Sequence, residues 1–142
     1  YATTAGDASV TLKYAFESAS KATSSSTAVD ETSLGLVLSM GGATLTVAQQ
    51  SSETGDSTYD YQASGAAIAY AVSDSLTVEA FSGETENDGT TDASFKFKET
   101  GYGITYTITS GLSLSLTNNT WDQDGTTDED GTNTAIAIDI SF

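Results

Sequence analysis

The last eight residues, Ala135-Ile136-Ala137-Ile138-Asp139-Ile140-Ser141-Phe142, alternate large apolar side chains with small or polar ones. Successive side chains of a β-strand point to opposite faces of a sheet, so this pattern predicts one apolar face and one polar face. Residues 10–16, 34–40 and 112–116 alternate in the same way. Helical periodicity is absent from almost the whole chain, which indicates an all-β protein.

Working back from this segment, the alternation predicts eight strands in a single domain over residues 1–142. Their approximate bounds are 8–17, 32–41, 43–50, 59–73, 75–83, 94–109, 112–118 and 133–142. Short connections at Gly41-Gly42, Ser73-Asp74-Ser75 and Thr109-Ser110-Gly111 alternate with longer polar connections. These short segments have residues suited to hairpins, and the strand pairs repeat along the chain. The order predicts an antiparallel up-and-down meander.

The alternation changes phase within the fourth and sixth predicted strands. The aromatic residues Tyr61 and Phe97 occupy odd positions, whereas the later apolar residues of the same strands occupy even ones. Gly65 and Gly101 lie between the two phases. A β-bulge at each glycine restores one continuous apolar face, so we predict a bulge at both.

The composition excludes several classes of function. The chain has 20 acidic and 4 basic residues, a formal net charge of −16, and neither His nor Cys. Nucleic-acid binding needs clustered Lys and Arg, so it is not expected. Catalytic triads of the Ser-His-Asp and Cys-His types cannot be built, and we predict that the protein is not an enzyme and carries no cofactor. The chain has no run of about 18 apolar residues, so no transmembrane helix is predicted.

The predicted strands fit a closed barrel in lipid. Each predicted strand has one apolar face, and the side chains of its opposite face are small and polar. Aromatic residues gather near the strand ends, as expected of a transmembrane β-barrel. A soluble, secreted β-rich structural protein is the alternative, because two sheets could bury their apolar faces against each other. The membrane interpretation predicts contact with bilayer lipid.

The terminal segment 135–142 resembles the last strand of Gram-negative outer-membrane proteins, which the outer-membrane assembly machinery recognises. Phe142 is then the assembly signal. Thr100-Gly101-Tyr102-Gly103-Ile104-Thr105-Tyr106 and Asp30-Glu31-Thr32-Ser33-Leu34-Gly35-Leu36 are similar to strands of alphaproteobacterial general porins. The resemblance is to the C-terminal half of those porins. The chain departs from them in having no Arg and no obvious constriction loop.

This resemblance implies a location, an assembly and a function. It implies an outer-membrane porin, a homotrimer in contact with lipopolysaccharide, that passes small hydrophilic solutes and ions by passive diffusion. Short turns and both chain termini would face the periplasm, and the long loops would face the outside.

The size of the barrel has two interpretations. Eight strands can close alone, but the interior is then just wide enough for side chains to fill it. The predicted inward face is mostly Ser, Thr, Ala and Gly, which fits the wall of a porin of about 16 strands better. The alternative is a small eight-stranded barrel with a structural or adhesive role through its acidic surface loops.

Four charged residues are predicted to face the lumen. Lys96 and Lys98 alternate with two phenylalanines, and Lys13 and Glu17 alternate with Tyr14 and a further aromatic residue. A charge on the lipid face near mid-bilayer costs roughly 2–4 kcal/mol. If the rings face lipid, these charges face the lumen and influence ion preference.

The last long connection contains the best candidate for a metal site. Asp122, Asp124, Asp128 and Asp130 lie within nine residues, and Gly125 and Gly131 provide turns. Carboxylate oxygens at alternating positions suit Ca²⁺. The bidentate Glu of a full EF-hand loop is missing, so a solvated acidic loop is the alternative.

Overall fold

The computed structural model describes residues 1–19, 29–54, 60–88, 94–125 and 128–140. Within these ranges nine strands form one sheet, and their order in the sheet is their order in the chain. The strands are β1 (Ala2–Ala5), β2 (Ala8–Ala19), β3 (Val29–Met40), β4 (Ala43–Thr54), β5 (Asp60–Ser73), β6 (Leu76–Asn87), β7 (Phe95–Thr109), β8 (Leu112–Asp124) and β9 (Glu129–Ile140). Every neighbouring pair is antiparallel. The predicted all-β up-and-down architecture is confirmed.

The strand count and several strand ends differ from the prediction. The additional strand is β1, which pairs with β2 through the turn at Gly6-Asp7. Strands β4, β6 and β8 continue to Thr54, Asn87 and Asp124, well into predicted loops. In these extensions most residues of both faces are polar, so apolar alternation stops although backbone pairing continues.

The sheet is open. Within the described ranges β1 pairs only with β2 and β9 pairs only with β8, so no pairing joins the two edges. The described residues therefore do not form the small closed barrel that was one of the two expectations. Each free edge presents unpaired backbone N–H and C=O groups that another strand can cover.

No hydrophobic residue is buried in the part of the chain that the structure describes. The chain exposes 9638 Å², whereas a folded monomer of 14.6 kDa exposes roughly 6,900 Å². No second sheet lies against this one among the described residues. The soluble sandwich expected as an alternative is therefore not the architecture of this region. No helix in the described ranges is long and apolar enough to cross a membrane.

Tight turns join the strand pairs at one end of the sheet. Gly41 and Gly42 have φ of +57° and +81°, the left-handed conformation that two-residue hairpin loops require. Register shifts occur between Ala71 and Ser73 and between Thr107 and Thr109, beside two other tight turns.

The predicted bulges at Gly65 and Gly101 are wrong. Pairing runs through both glycines without a shift. The phase change in the sequence has another cause, because the aromatic residues before each glycine lie on the opposite face from the later apolar ones.

The two chain termini were expected at the same end of the sheet. Tyr1 lies level with Leu12, whose backbone it bonds in both directions, at 2.8 Å and 2.7 Å. Strand β1 therefore pairs only with the part of β2 that lies next to the turn at Gly6. Phe142 lies outside the described residues.

Candidate functional site

The sheet is curved, and its two faces have different compositions. Cross-strand pairing assigns each side chain to a face, and the face that lines a cavity of about 560 Å³ is called the concave face. Its members include Ser9, Thr11, Thr44, Thr46, Thr77, Thr105, Ser113 and Ser115. The convex face has the large apolar side chains, among them Leu36, Leu45, Ile68, Val78, Ile104, Leu116 and Ile136.

One row of the concave face is nearly bare of side chains. It contains one residue from each of the strands β2 to β7, and each residue is the direct cross-strand partner of the next. We call it the floor row, and it consists of Lys13, Gly35, Ala48, Gly65, Gly83 and Glu99. All of them line the cavity. Four members without a long side chain therefore leave open space between the lysine and the glutamate.

The concave face is predominantly acidic. In the described part of the chain Lys13 is its one basic side chain. Its acidic residues are Glu17, Glu31, Glu79, Glu99, Glu129 and Asp139. Gln50 donates a 2.7 Å hydrogen bond from Nε2 to Glu31 Oε1 across β3 and β4. This excess of carboxylates gives the concave face a negative potential, which attracts cations.

Aromatic side chains also lie on the concave face, most of them towards the ends of the strands that are far from the tight turns. They are Tyr61, Phe81, Phe95, Phe97 and Trp121. Phe97 and Trp121 stack, with ring centroids 6.1 Å apart and an interplanar angle of 21°. Gly131 is the cross-strand partner of Trp121, and a Cβ there would lie 2.7 Å from the indole ring. The glycine thus leaves room for the indole beside the backbone.

The four predicted lumen charges divide between the two faces. Lys13 and Glu17 lie on the concave face, opposite to Tyr14. Lys96 and Lys98 lie on the convex face, on the same side of β7 as Ile104. The sequence pattern predicted these two lysines on the same face as Lys13, and the structure corrects this. Because β7 has no bulge at Gly101, its phenylalanines lie on the concave face and its lysines on the convex face.

The convex lysines lie among acidic residues beyond the apolar part of the sheet. Lys96 Nζ is 2.6 Å from Glu84 Oε1 and 3.4 Å from Glu86 Oε2. Lys98 is the cross-strand partner of Glu84 on one side and Asp122 on the other. The two lysines therefore compensate acidic charge at the outer surface of the sheet, where exposed ion pairs contribute little to stability.

The predicted calcium ligands do not gather into one site. Asp122 and Asp130 are cross-strand partners on the convex face, and Asp124 follows on β8. Asp128 accepts a 3.4 Å hydrogen bond from the backbone N–H of Gly125. Over the described ranges no three acidic side chains are placed to hold a metal. Residues 126 and 127, between these aspartates, lie outside the described residues.

Sequence reasoning missed Glu99, Trp121 and Glu31 as members of the same face. Their juxtaposition depends on the register of strands distant in sequence. For two of them the available signal was the glycine directly across on the neighbouring strand, Gly131 opposite Trp121 and Gly83 opposite Glu99. A large residue commonly covers a glycine on the neighbouring strand.

No protein-family model matches the chain, and no curated protein matches its sequence. Its fold is similar to the solved structure of a loop L8 deletion mutant of OmpT, an outer membrane protein of Vibrio cholerae. The TM-score is 0.64 at 19% sequence identity, and the match covers 98% of this chain and 51% of the other. The chain thus spans about half the length of that protein. At this identity the likeness shows the fold alone.

Proposed function

We propose that the chain forms part of the wall of an outer-membrane porin, through which small hydrophilic solutes and ions diffuse passively. The observation that carries the proposal is a single open sheet with an apolar convex face and a polar, acidic concave face. Hydrocarbon on one side and water on the other would satisfy both faces. The protein has no catalytic role in this proposal, and the lack of His and Cys supports that part of it.

The exposure of the convex face favours lipid as its neighbour. Ile136, Ile138 and Ile140 are exposed to 72%, 66% and 61%, and large apolar residues of the other long strands share this face. Burying a side chain of this size is worth about 1.5–3 kcal/mol. A soluble protein would forgo that free energy at many positions, whereas a bilayer supplies it.

The dimensions of the strands support a membrane-spanning role. Strands β2 to β9 have 12 to 15 residues each. A tilted transmembrane strand needs about 9–11. The remaining length carries the polar ends that lie far from the tight turns. We place those ends outside the cell and the tight turns in the periplasm, as in other barrels of this kind.

The open edges favour a barrel wider than nine strands. Strands β1 and β9 run in the same direction, because eight antiparallel pairings separate them. Joining them directly would create a parallel pair, so an antiparallel barrel needs at least one further strand between them. The bare floor row also fits a wide, water-filled interior better than a packed one.

The concave carboxylates predict a preference for cations. In planar bilayers under a tenfold KCl gradient, we expect a reversal potential of the sign that K⁺ permeation gives. Replacing Glu17, Glu31 and Glu99 together by Gln lowers the ratio of K⁺ to Cl⁻ permeability by about two- to threefold, because it removes negative potential from the lumen.

A matched variant tests whether the face, and not the net charge, sets this preference. Replacing Asp122, Asp124 and Asp130 by Asn removes the same charge from strand ends on the convex face. We expect the permeability ratio to stay within the error of the unmodified protein. Equal losses in the two triple variants, or a preference for Cl⁻ in the unmodified protein, would contradict the proposed lumen face.

A further inference from the structure

One part of the concave face combines aromatic rings with a carboxylate. Phe97 and Glu99 lie two residues apart on β7, and Trp121 is the direct cross-strand partner of Glu99 on β8. The Phe97 and Trp121 rings stack at 6.1 Å. Phe97 and Glu99 both line the cavity of about 560 Å³, a volume typical of small-molecule sites.

Neighbouring residues position these groups. The side-chain amide of Asn119 donates a hydrogen bond to the Glu99 carboxylate. Trp121 lies over Gly131, where any Cβ would collide with the indole. On the other side of Glu99 the floor row continues with Gly83 and Gly65, which lack side chains. The Glu99 carboxylate and the Phe97 ring therefore border the open part of the floor row.

We infer that Phe97, Glu99 and Trp121 form a binding site for small organic cations, such as primary alkylammonium ions. The inference deepens the proposed function and rests on it, because the ligand reaches the cavity through the lumen. The ammonium group binds between the Glu99 carboxylate and the aromatic pair, where a ring face attracts a cation. The alkyl chain lies along Gly83 and Gly65 of the floor row.

Other ligand classes fit these residues less well. A small metal ion must exchange its hydration water for several oxygen ligands, and over the described residues no three acidic side chains converge. An anion would meet a face whose one basic side chain within the described ranges, Lys13, stands at the far end of the floor row. An organic cation needs only one carboxylate and a ring, which this site supplies.

The chain contains a single Trp, so its fluorescence reports on this site directly. The detergent-solubilised, folded protein is titrated with n-butylammonium chloride while Trp121 emission is followed. Matched titrations use 1-butanol, which has the same alkyl chain without the charge, and KCl at equal ionic strength. We expect a saturable change with butylammonium alone. Absence of saturation, or the same change with butanol or KCl, would overturn the site.

Three substitutions test which side chains bind the butylammonium ion. Glu99→Gln keeps an acceptor for Asn119 but removes the charge, and we expect butylammonium binding to weaken by about tenfold. Phe97→Leu keeps an apolar side chain but removes the ring, and a loss of about threefold is expected. Asp139→Asn removes a charge from the same face near the tight turns, and binding should be unchanged. Equal losses in Glu99→Gln and Asp139→Asn would show a general negative potential and no site.

The titration and the bilayer currents distinguish the two proposals. Saturable binding that depends on Glu99, in a protein without conductance, would leave the site standing and refute the pore. Cation-selective conductance without saturable binding would refute the site and leave the pore standing.

Discussion

Leu114→Arg destabilises the folded protein in a lipid bilayer by about 2–4 kcal/mol, while Ser115→Arg changes its stability by less than about 0.5 kcal/mol. The two positions are adjacent in β8 but lie on opposite faces. Leu114 lies between Tyr106 and Ile138 on the convex face, so in the proposed barrel a guanidinium there would enter hydrocarbon. Ser115 is on the concave face, where in the proposed pore the same group would meet water.

Guanidinium unfolding in phosphatidylcholine vesicles, followed by Trp121 fluorescence, gives both free energies. Because the substitutions introduce the same side chain one residue apart, local strand propensity and net charge are matched. Equal destabilisation by the two substitutions would contradict the assignment of the faces. Greater destabilisation by Ser115→Arg would reverse it.

Gly101→Ala is expected to destabilise the protein by about 1–3 kcal/mol, the usual cost of overpacking. A Cβ at Gly101 would lie 2.5 Å from Cζ of Phe81 and 2.7 Å from the backbone carbonyl oxygen of Asn118. The ring can turn away, but the backbone oxygen belongs to a paired strand and cannot move alone. Phe81→Ala should therefore restore only part of the lost stability.

Gly35→Ala is the matched control, because this glycine also lies on the concave face within a paired strand. A Cβ there would have one near neighbour, Cβ of Lys13, at 3.9 Å. We expect no loss, and a gain of up to about 1 kcal/mol, since glycine within a strand is entropically unfavourable. The same unfolding assay applies. Equal stability of the two alanine variants would refute the close contacts of Gly101 with Phe81 on β6 and Asn118 on β8.

The topology was predictable from sequence because its signals are local. Segments such as residues 34–40 and 112–116 show the two-residue period over the part of each strand next to a tight turn. Gly41-Gly42 identified a hairpin turn by its residue types alone. Strand order then followed from the alternation of short and long connections, and the structure has that order.

The parts of the strands that lie far from the tight turns were not predictable in this way. Beyond Leu116, strand β8 continues through Thr117, Asn118 and Asn119 to Asp124 with polar residues on both faces. Apolar periodicity marks the part of the convex face with large apolar side chains, and it ends where both faces become polar. The backbone ladder continues without it, so the sequence pattern underestimates strand length.

The site was predicted only in part, because it depends on register. Lys13 and Glu17 lie on the face opposite Tyr14, as the uninterrupted alternation of their strand predicts, and whether that face lines a lumen stays a prediction. Lys96 and Lys98 were placed on the wrong face, because aromatic side chains were assumed to face lipid. Phe97 faces inward instead and stacks on Trp121, a partner that only the pairing of β7 with β8 reveals.

Cysteine substitution tests most directly whether hydrocarbon contacts the convex face and water the concave one. The chain has no native Cys, so each single substitution gives one thiol. In vesicles, Ser115→Cys and Thr117→Cys should react with a charged, membrane-impermeant thiol reagent. Leu114→Cys and Leu116→Cys should resist it, and a fluorophore attached there before reconstitution should be quenched by brominated lipid. Equal reactivity at all four positions, or the opposite alternation, would contradict the account.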